Sequence, residues 1–236
     1  MRRSFSRLLM ALAGTAGGMA QAATVPDTLA QRIKACTACH AQEERHDAFF
    51  PRISGKPAGY LYNQLVNFRD GRRRYPMMTY MVDHLPDAYL KEIADYFSQQ
   101  HPAPPPAQAS TAGSDALARG KQLVLQGDSV KKIPACISCH GQQLAGVTPA
   151  IPGLLGLPRD YINAQFGAWK NGVRRAHAPD CMALVAGRLS DADVGAVSSW
   201  LGTQAADANA RPADAISLPL PLHCGSVPGS TAGVAP

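Results

Sequence analysis

Two pentads carry most of the chemistry this chain can do: Cys36-Thr37-Ala38-Cys39-His40 and Cys136-Ile137-Ser138-Cys139-His140. Two thiols three positions apart lie on one side of a helical turn, where they can add to the two vinyl groups of a haem. The thioethers then hold the macrocycle covalently, and the histidine after the second thiol points its imidazole at the iron. The pattern therefore predicts two covalent haem c groups, one on Cys36 and Cys39 and one on Cys136 and Cys139, with His40 and His140 as proximal ligands. A bare C-x-x-C could be a redox dithiol or half of a zinc site. Zinc, however, would want a further Cys or His pair at short spacing, and none follows either pentad.

The opposite side of each iron calls for a second ligand. Met78 stands in the pattern M-x6-L-P-D and Met182 in M-x6-L-S-D, each ahead of the last helix of its half. Most methionines are flexible core fillers, but this recurrence in register predicts Met78 and Met182 as axial thioethers, carried on a loop between two helices. Met77 and Met81 compete with Met78. His84, His177 and His223 could also ligate, but none recurs between the halves. A thioether opposite imidazole favours the ferrous state and fills the sixth position, so no small-molecule substrate is expected at the metal and no catalytic residue is assigned.

Cys181 and Cys224 remain. In an oxidising compartment a disulfide between them is the economical reading. The alternative is Cys181 itself on iron, which would lower the potential and point to sulfur-compound chemistry. Two basic clusters, Arg72-Arg73-Arg74 and Arg174-Arg175, read either as solvated loops and propionate partners or as a docking surface for an acidic protein.

The elements that must position these residues come in duplicate. Tyr60, Gln64, Phe68 and Gly71 match Tyr161, Gln165, Trp169 and Gly172 at a separation of 101, so the halves are homologous. Each reads as three helices around its haem: about 27–38, 60–70 and from 87 onward in the first half, and about 115–126, 160–171 and 191–203 in the second. Tyr96 and Trp200 read as core aromatics of the last helix. The fold class is all-α, two tandem domains each wrapped around one covalent haem. Residues 1–22 form a signal peptide, 23–101 the first domain, 102–113 a proline-rich linker, 114–204 the second domain and 205–236 an irregular tail. Domains of this size bury little apolar surface, and covalent haem supplies a cross-link, so the haem-free chain is expected to fold poorly.

The signal peptide follows from Arg2, Arg3 and Arg7 ahead of a short apolar run and an Ala20-Gln21-Ala22 cleavage site. Its removal lowers the formal charge from +6 to +3 by loss of three arginines, and so mild a charge gives no support for nucleic-acid binding. No later stretch approaches about 18 consecutive apolar residues, so no internal membrane span is expected, while peripheral association with a membrane stays open. A periplasmic location follows from export.

With both pentads, the duplication and M-x6-L in place, the chain resembles the dihaem cytochrome c4 family from about 33 to 204, including Tyr60-Leu61-Tyr62-Asn63-Gln64-Leu65, Phe68-Arg69-Asp70-Gly71-Arg72 and Ile93-Ala94-Asp95-Tyr96-Phe97. The resemblance implies two tandem class I cytochrome c domains facing each other, His/Met ligation at both irons, and periplasmic electron delivery towards a terminal oxidase. The chain departs from the family in a short first domain between Cys39 and Met78, a linker unusually rich in proline, and the Cys181/Cys224 pair with its tail. Two rival functions follow: a haem subunit docked on a dehydrogenase or oxidase, and a dihaem enzyme such as a thiosulfate dehydrogenase or peroxidase. The enzyme would need one iron with a labile, Cys or His sixth ligand.

Overall fold

In the first half α1 (Leu29–His40), α2 (Ala58–Arg69), α3 (Pro76–Val82) and α4 (Asp87–Ser98) follow one another; in the second, α5 (Ser114–Leu125), α6 (Ile137–His140), a hairpin of β1 (Gly146–Val147) and β2 (Ile151–Pro152), then α7 (Arg159–Lys170), α8 (Cys181–Arg188) and α9 (Asp191–Gly202). These come from a computed structural model that describes residues 26–40, 49–214 and 220–230. The expected signal peptide lies outside the described residues.

The expected helices are present within one to two residues at most ends, with three differences. Both methionines sit on short helices, α3 and α8, rather than on loops. Pro76 at the first turn of α3 and Asp180 capping α8, where its Oδ1 accepts from the Ala183 amide at 3.0 Å, supply the start signals. The halves also differ at the pentads. Helix α1 runs unbroken through Cys36 and Cys39 to His40, whereas α5 stops at Leu125 and the one-turn α6 carries the second motif. Gly127, at φ +77°, ends α5 there and donates its amide back to the Gln122 carbonyl at 3.0 Å. Finally, the two-residue hairpin adds a scrap of sheet to an otherwise helical protein.

Helix α5 crosses α9 at close range. A Cβ on Gly120 would lie 2.2 Å from the Ala196 carbonyl oxygen, so only glycine permits this approach. The crossing buries Leu123, Val124, Val197 and Leu201 nearly completely, each side chain stabilising by about 1.5–3 kcal/mol relative to exposure. Helix α9 begins with a capping box, Ser190 and Asp193 each satisfying the other's backbone amide. Asp193 also receives Arg119 at 2.8 Å and Lys131 at 2.7 Å, tying α5 and its following loop to the same helix end. In the first half, Leu61, Ile93, Ala94 and Phe97 join Ile33 across α2, α4 and α1. Tyr96 and Trp200 pack against the two cores, as expected.

The basic clusters do something the sequence reading missed: they join the halves. The Arg74 amide donates to the Val173 carbonyl at 2.9 Å and the Arg175 amide to the Arg72 carbonyl at 2.7 Å, an antiparallel bridge between equivalent loops. Arg73 donates to Gln64, Gln165 and the Tyr161 hydroxyl; Arg174 donates to Gln165, Gln64 and the Tyr60 hydroxyl. Each guanidinium stacks on an equivalent aromatic ring, Arg73 on Phe68 at 4.6 Å and Arg174 on Trp169 at 3.9 Å. Every partner sits 101 residues from its counterpart, so the interface has the two-fold logic of the duplication. The linker is more than a spacer, since Arg52 donates to the Pro102 and Ala103 carbonyls and the Gln108 amide donates to the Gly202 carbonyl at 2.7 Å.

Candidate haem sites

The two pentad histidines are held in the same way. His40 Nδ1 lies 2.9 Å from the Pro51 carbonyl oxygen and His140 Nδ1 lies 2.7 Å from that of Pro152. A carbonyl only accepts, so Nδ1 carries the proton and Nε2 keeps its lone pair for a metal. Burial pushes both imidazoles below their ordinary pKa, which favours the neutral, ligating form. Burial also pushes the Cys136 and Cys139 thiols up to about 12 and 11, and raises Cys36 as well. All four pentad cysteines stand unpaired with one another.

Between α6, α7 and α8 opens a cleft lined by Cys139, His140 and Met182 together with Ile162, Phe166 and Trp169. The pentad histidine and the expected distal methionine thus share one cavity. Asp180 fixes where Met182 stands, because it caps α8 and its other oxygen accepts from the Ala176 amide at 2.7 Å. The tail closes another wall. Cys181 and Cys224 form a disulfide with Cα atoms 5.1 Å apart, the pairing expected from sequence, and Cys181 is thereby removed as an iron ligand. Leu220 and Cys224 are buried against Val147 and Ile151, with Cys139 beside them. Gly225 presses so close to Ala178 that a Cβ would come within 2.1 Å of its carbonyl oxygen, and its own amide donates to the Pro179 carbonyl at 2.9 Å.

In the first half Met78 is half-buried against Val66, Phe68, Val82 and Leu90, as is Met81. Met77 is 60% exposed and drops out as a candidate. His84 and His223 are exposed, and His177 lies outside the second cavity's wall, with Nε2 3.5 Å from Arg72. Met78 and Met81 are separated by register alone, since Met78 holds the position that Met182 repeats.

The polar rim of the second cavity fits a macrocycle bearing carboxylates. Arg174 is 6% exposed and finds only neutral side-chain acceptors, while burial and the nearby charge of Arg73 lower its pKa. The indole Nε1 of Trp169 is buried without a hydrogen-bond partner. Lys56 reaches the same wall from the first domain, and burial pushes its ammonium down to about 8. An apolar slot with a thiol pair, a ligand-ready imidazole, a facing thioether and surplus cationic donors at the rim suits haem c in each of its chemical parts.

No family model matches the chain. Over 171 residues it is 40% identical to a thiosulfate dehydrogenase electron acceptor of Thiomonas intermedia, spanning 72% of this chain and 78% of that one. Over 201 residues it is 30% identical to a cytochrome c4 of Pseudomonas aeruginosa, spanning 83% of this chain and 98% of that one. Among solved structures it resembles reduced recombinant cytochrome c4 from Pseudomonas stutzeri, with a TM-score of 0.61 and 28% identity across 74% of this chain and 96% of that one. It also resembles a thiosulfate dehydrogenase from Marichromatium purpuratum, with a TM-score of 0.60 and 30% identity, but there it spans only 39% of the other chain. With near-complete coverage of a cytochrome c4 and a matching tandem fold, the chain belongs to the dihaem cytochrome c4 family and is an electron-transfer protein with two covalent haem c groups.

Proposed function

We propose that this protein works in the periplasm as the acceptor of single electrons from a sulfur-oxidising dehydrogenase, passing them on towards a terminal oxidase. In this reading Cys36, Cys39, Cys136 and Cys139 bind the two haems, His40 and His140 are the proximal ligands, and Met78 and Met182 the distal ones. Bound haem iron supplies a one-electron ferric/ferrous couple. The chain's part is to hold Nε2 of each histidine free through the Pro51 and Pro152 carbonyls, to keep a thioether opposite, and to shield the second site with the tail. The N-terminal segment, with its basic start and Ala20-Gln21-Ala22, directs export.

The observation that carries the acceptor over the enzyme is that Cys181 is bonded to Cys224 while Met182 faces the cavity with His140. A thiosulfate-oxidising site would want that cysteine free or a ligand position open. Two relatives named thiosulfate dehydrogenase electron acceptor, at 40% and 34% identity, support the same choice of donor. The test mixes oxidised holo-protein with thiosulfate, with and without a separate thiosulfate dehydrogenase, and follows the reduced haem bands. Reduction only in the presence of the dehydrogenase is expected. Turnover of thiosulfate by the isolated protein would refute the proposal.

A further inference from the structure

The proline-rich segment between the halves is seated on equivalent turns. Gly55 and Gly156, 101 residues apart, both sit at positive φ and leave room for it. A Cβ on Gly55 would stand 3.1 Å from His101 Nδ1, and one on Gly156 would stand 3.3 Å from Pro105 Cδ. The tail passes the same place, and its residues between 206 and 212 complete a pocket of about 90 Å³ with the linker and with Arg52 of the first half. That is several times the room one water needs.

Three basic side chains face this pocket from three parts of the chain: Arg52, His101 and Arg211. Backbone carbonyls fix both guanidiniums. Arg52 donates to Pro102 and Ala103, and Arg211 donates to Ala208 at 3.0 Å and to Ala210 at 2.9 Å. Each thereby uses two of its five N–H donors. None of the ion pairs among the described residues includes Arg52, His101 or Arg211. Asp207 also lines the wall, but its Oδ1 accepts from the Asn209 amide at 2.8 Å, and Lys56 is committed to the Gly153 carbonyl at 3.2 Å. Burial, and then the charges of Arg211 and Arg52, hold the His101 imidazole below its ordinary pKa, so like charges repel here.

These groups stand apart from the haem rim. His101 lies beyond α4 and Arg211 beyond α9, and none of the three side chains lines the cavity of His140 and Met182. Fixed cationic donors short of counter-charge, grouped around a small enclosure, match the charge-assisted hydrogen bonding of a compact oxyanion.

We propose that this junction is a binding site for a small divalent oxyanion of the sulfate or phosphate type, received by Arg52, His101 and Arg211, and that the bound anion ties the first domain, the linker and the tail together.

The test titrates sodium sulfate and sodium phosphate separately into fully reduced holo-protein, by isothermal calorimetry and by the NMR signal of the His101 ring, against sodium chloride at matched ionic strength. Saturable binding of at least one of the two anions at a single site, with a shift of the His101 signal, is expected. Arg211→Gln, at an exposed tail position, should keep both haems and weaken that binding by about tenfold or more, the loss of one charged hydrogen bond; Arg211→Lys should lose less. His101→Gln gives a second calorimetric reading should the Arg211 variant fold poorly. An equal His101 shift in chloride would overturn the proposal, because screening and not a site would then be the cause. Unaltered affinity in both Arg211→Gln and His101→Gln would overturn it as well.

Discussion

Removing the Cys181–Cys224 bridge tests how the tail and the second domain depend on each other. The cysteines are 43 positions apart and close a loop of 44 residues. In the chain-entropy model a closed loop of that size stabilises by roughly 4 kcal/mol at 25 °C. That loop is no appendage, because it contains α8, which carries Met182, and α9, which makes the main crossing with α5. The cross-link therefore restricts the unfolded state of the domain's own core elements. In the folded state the tail keeps other ties, such as Asn63 Nδ2 donating to the Ser226 carbonyl at 3.0 Å and the Thr148 amide donating to the Ala213 carbonyl at 2.8 Å. These should hold it in place at neutral pH. The double variant Cys181→Ala/Cys224→Ala avoids a stray thiol. It should unfold in urea with a midpoint lower by about 2 M, taking a slope of about 2 kcal/mol/M, with the loss confined to the second domain's transition. Far-UV circular dichroism and haem absorbance together resolve the two transitions. A loss below about 1 kcal/mol, or one shared equally by both domains, would refute the reasoning.

Three further outcomes follow from particular contacts. Replacing Met182 or Met78 with alanine should open one iron to carbon monoxide and lower that haem's potential; a Met78 variant that binds none would transfer the role to Met81. Gly120→Ala forces a methyl into the Ala196 carbonyl and should cost about 1–3 kcal/mol in denaturant unfolding, because two helix backbones must separate. Burial opposes ionisation of Asp193, yet hydrogen bonds from Lys131, Arg119 and Ser190 outweigh it and hold the carboxyl below its ordinary pKa. A folded pKa below the unfolded value of about 3.9 gives stability that is present above that pH and lost as pH falls towards the folded value. Asp193→Asn should thus be less stable by about 1–3 kcal/mol at pH 7, and should show a flatter decline below about pH 4 than the wild type; equal acid slopes would refute this.

What could be read from the sequence was whatever is local or repeated. The pentads, the long helices and Met182 are set by short-range spacing and by recurrence between the halves. Met77 could not be separated from Met78 that way, since choosing between neighbours on a helix takes the burial that only packing reveals. The arginine clusters' part in joining the halves was hidden for a related reason. Arg73 finds its acceptors 9 and 92 residues away, on Gln64 and Gln165, and both are neutral, so no charge pattern announces them. The disulfide was legible from the cysteine count, but the tail's second task, closing the wall around Cys139 and Cys181, depends on where Leu220 and Val227 land.

The same two-fold frame also makes its exceptions informative. A duplicated carrier with two equal sites would hold an electron on either with no preference, and the paired residues Tyr60/Tyr161, Gln64/Gln165 and Arg73/Arg174 preserve that equality at the interface. Where the halves differ, two differences lie at the second site: an indole at Trp169 where the first half has the plain ring of Phe68, and a disulfide-held tail against that cavity. Exclusion of water disfavours the more positive, oxidised metal relative to the reduced one, so the tail's cover over the second cavity would act in favour of the reduced state there, while the interface that couples the halves stays the same.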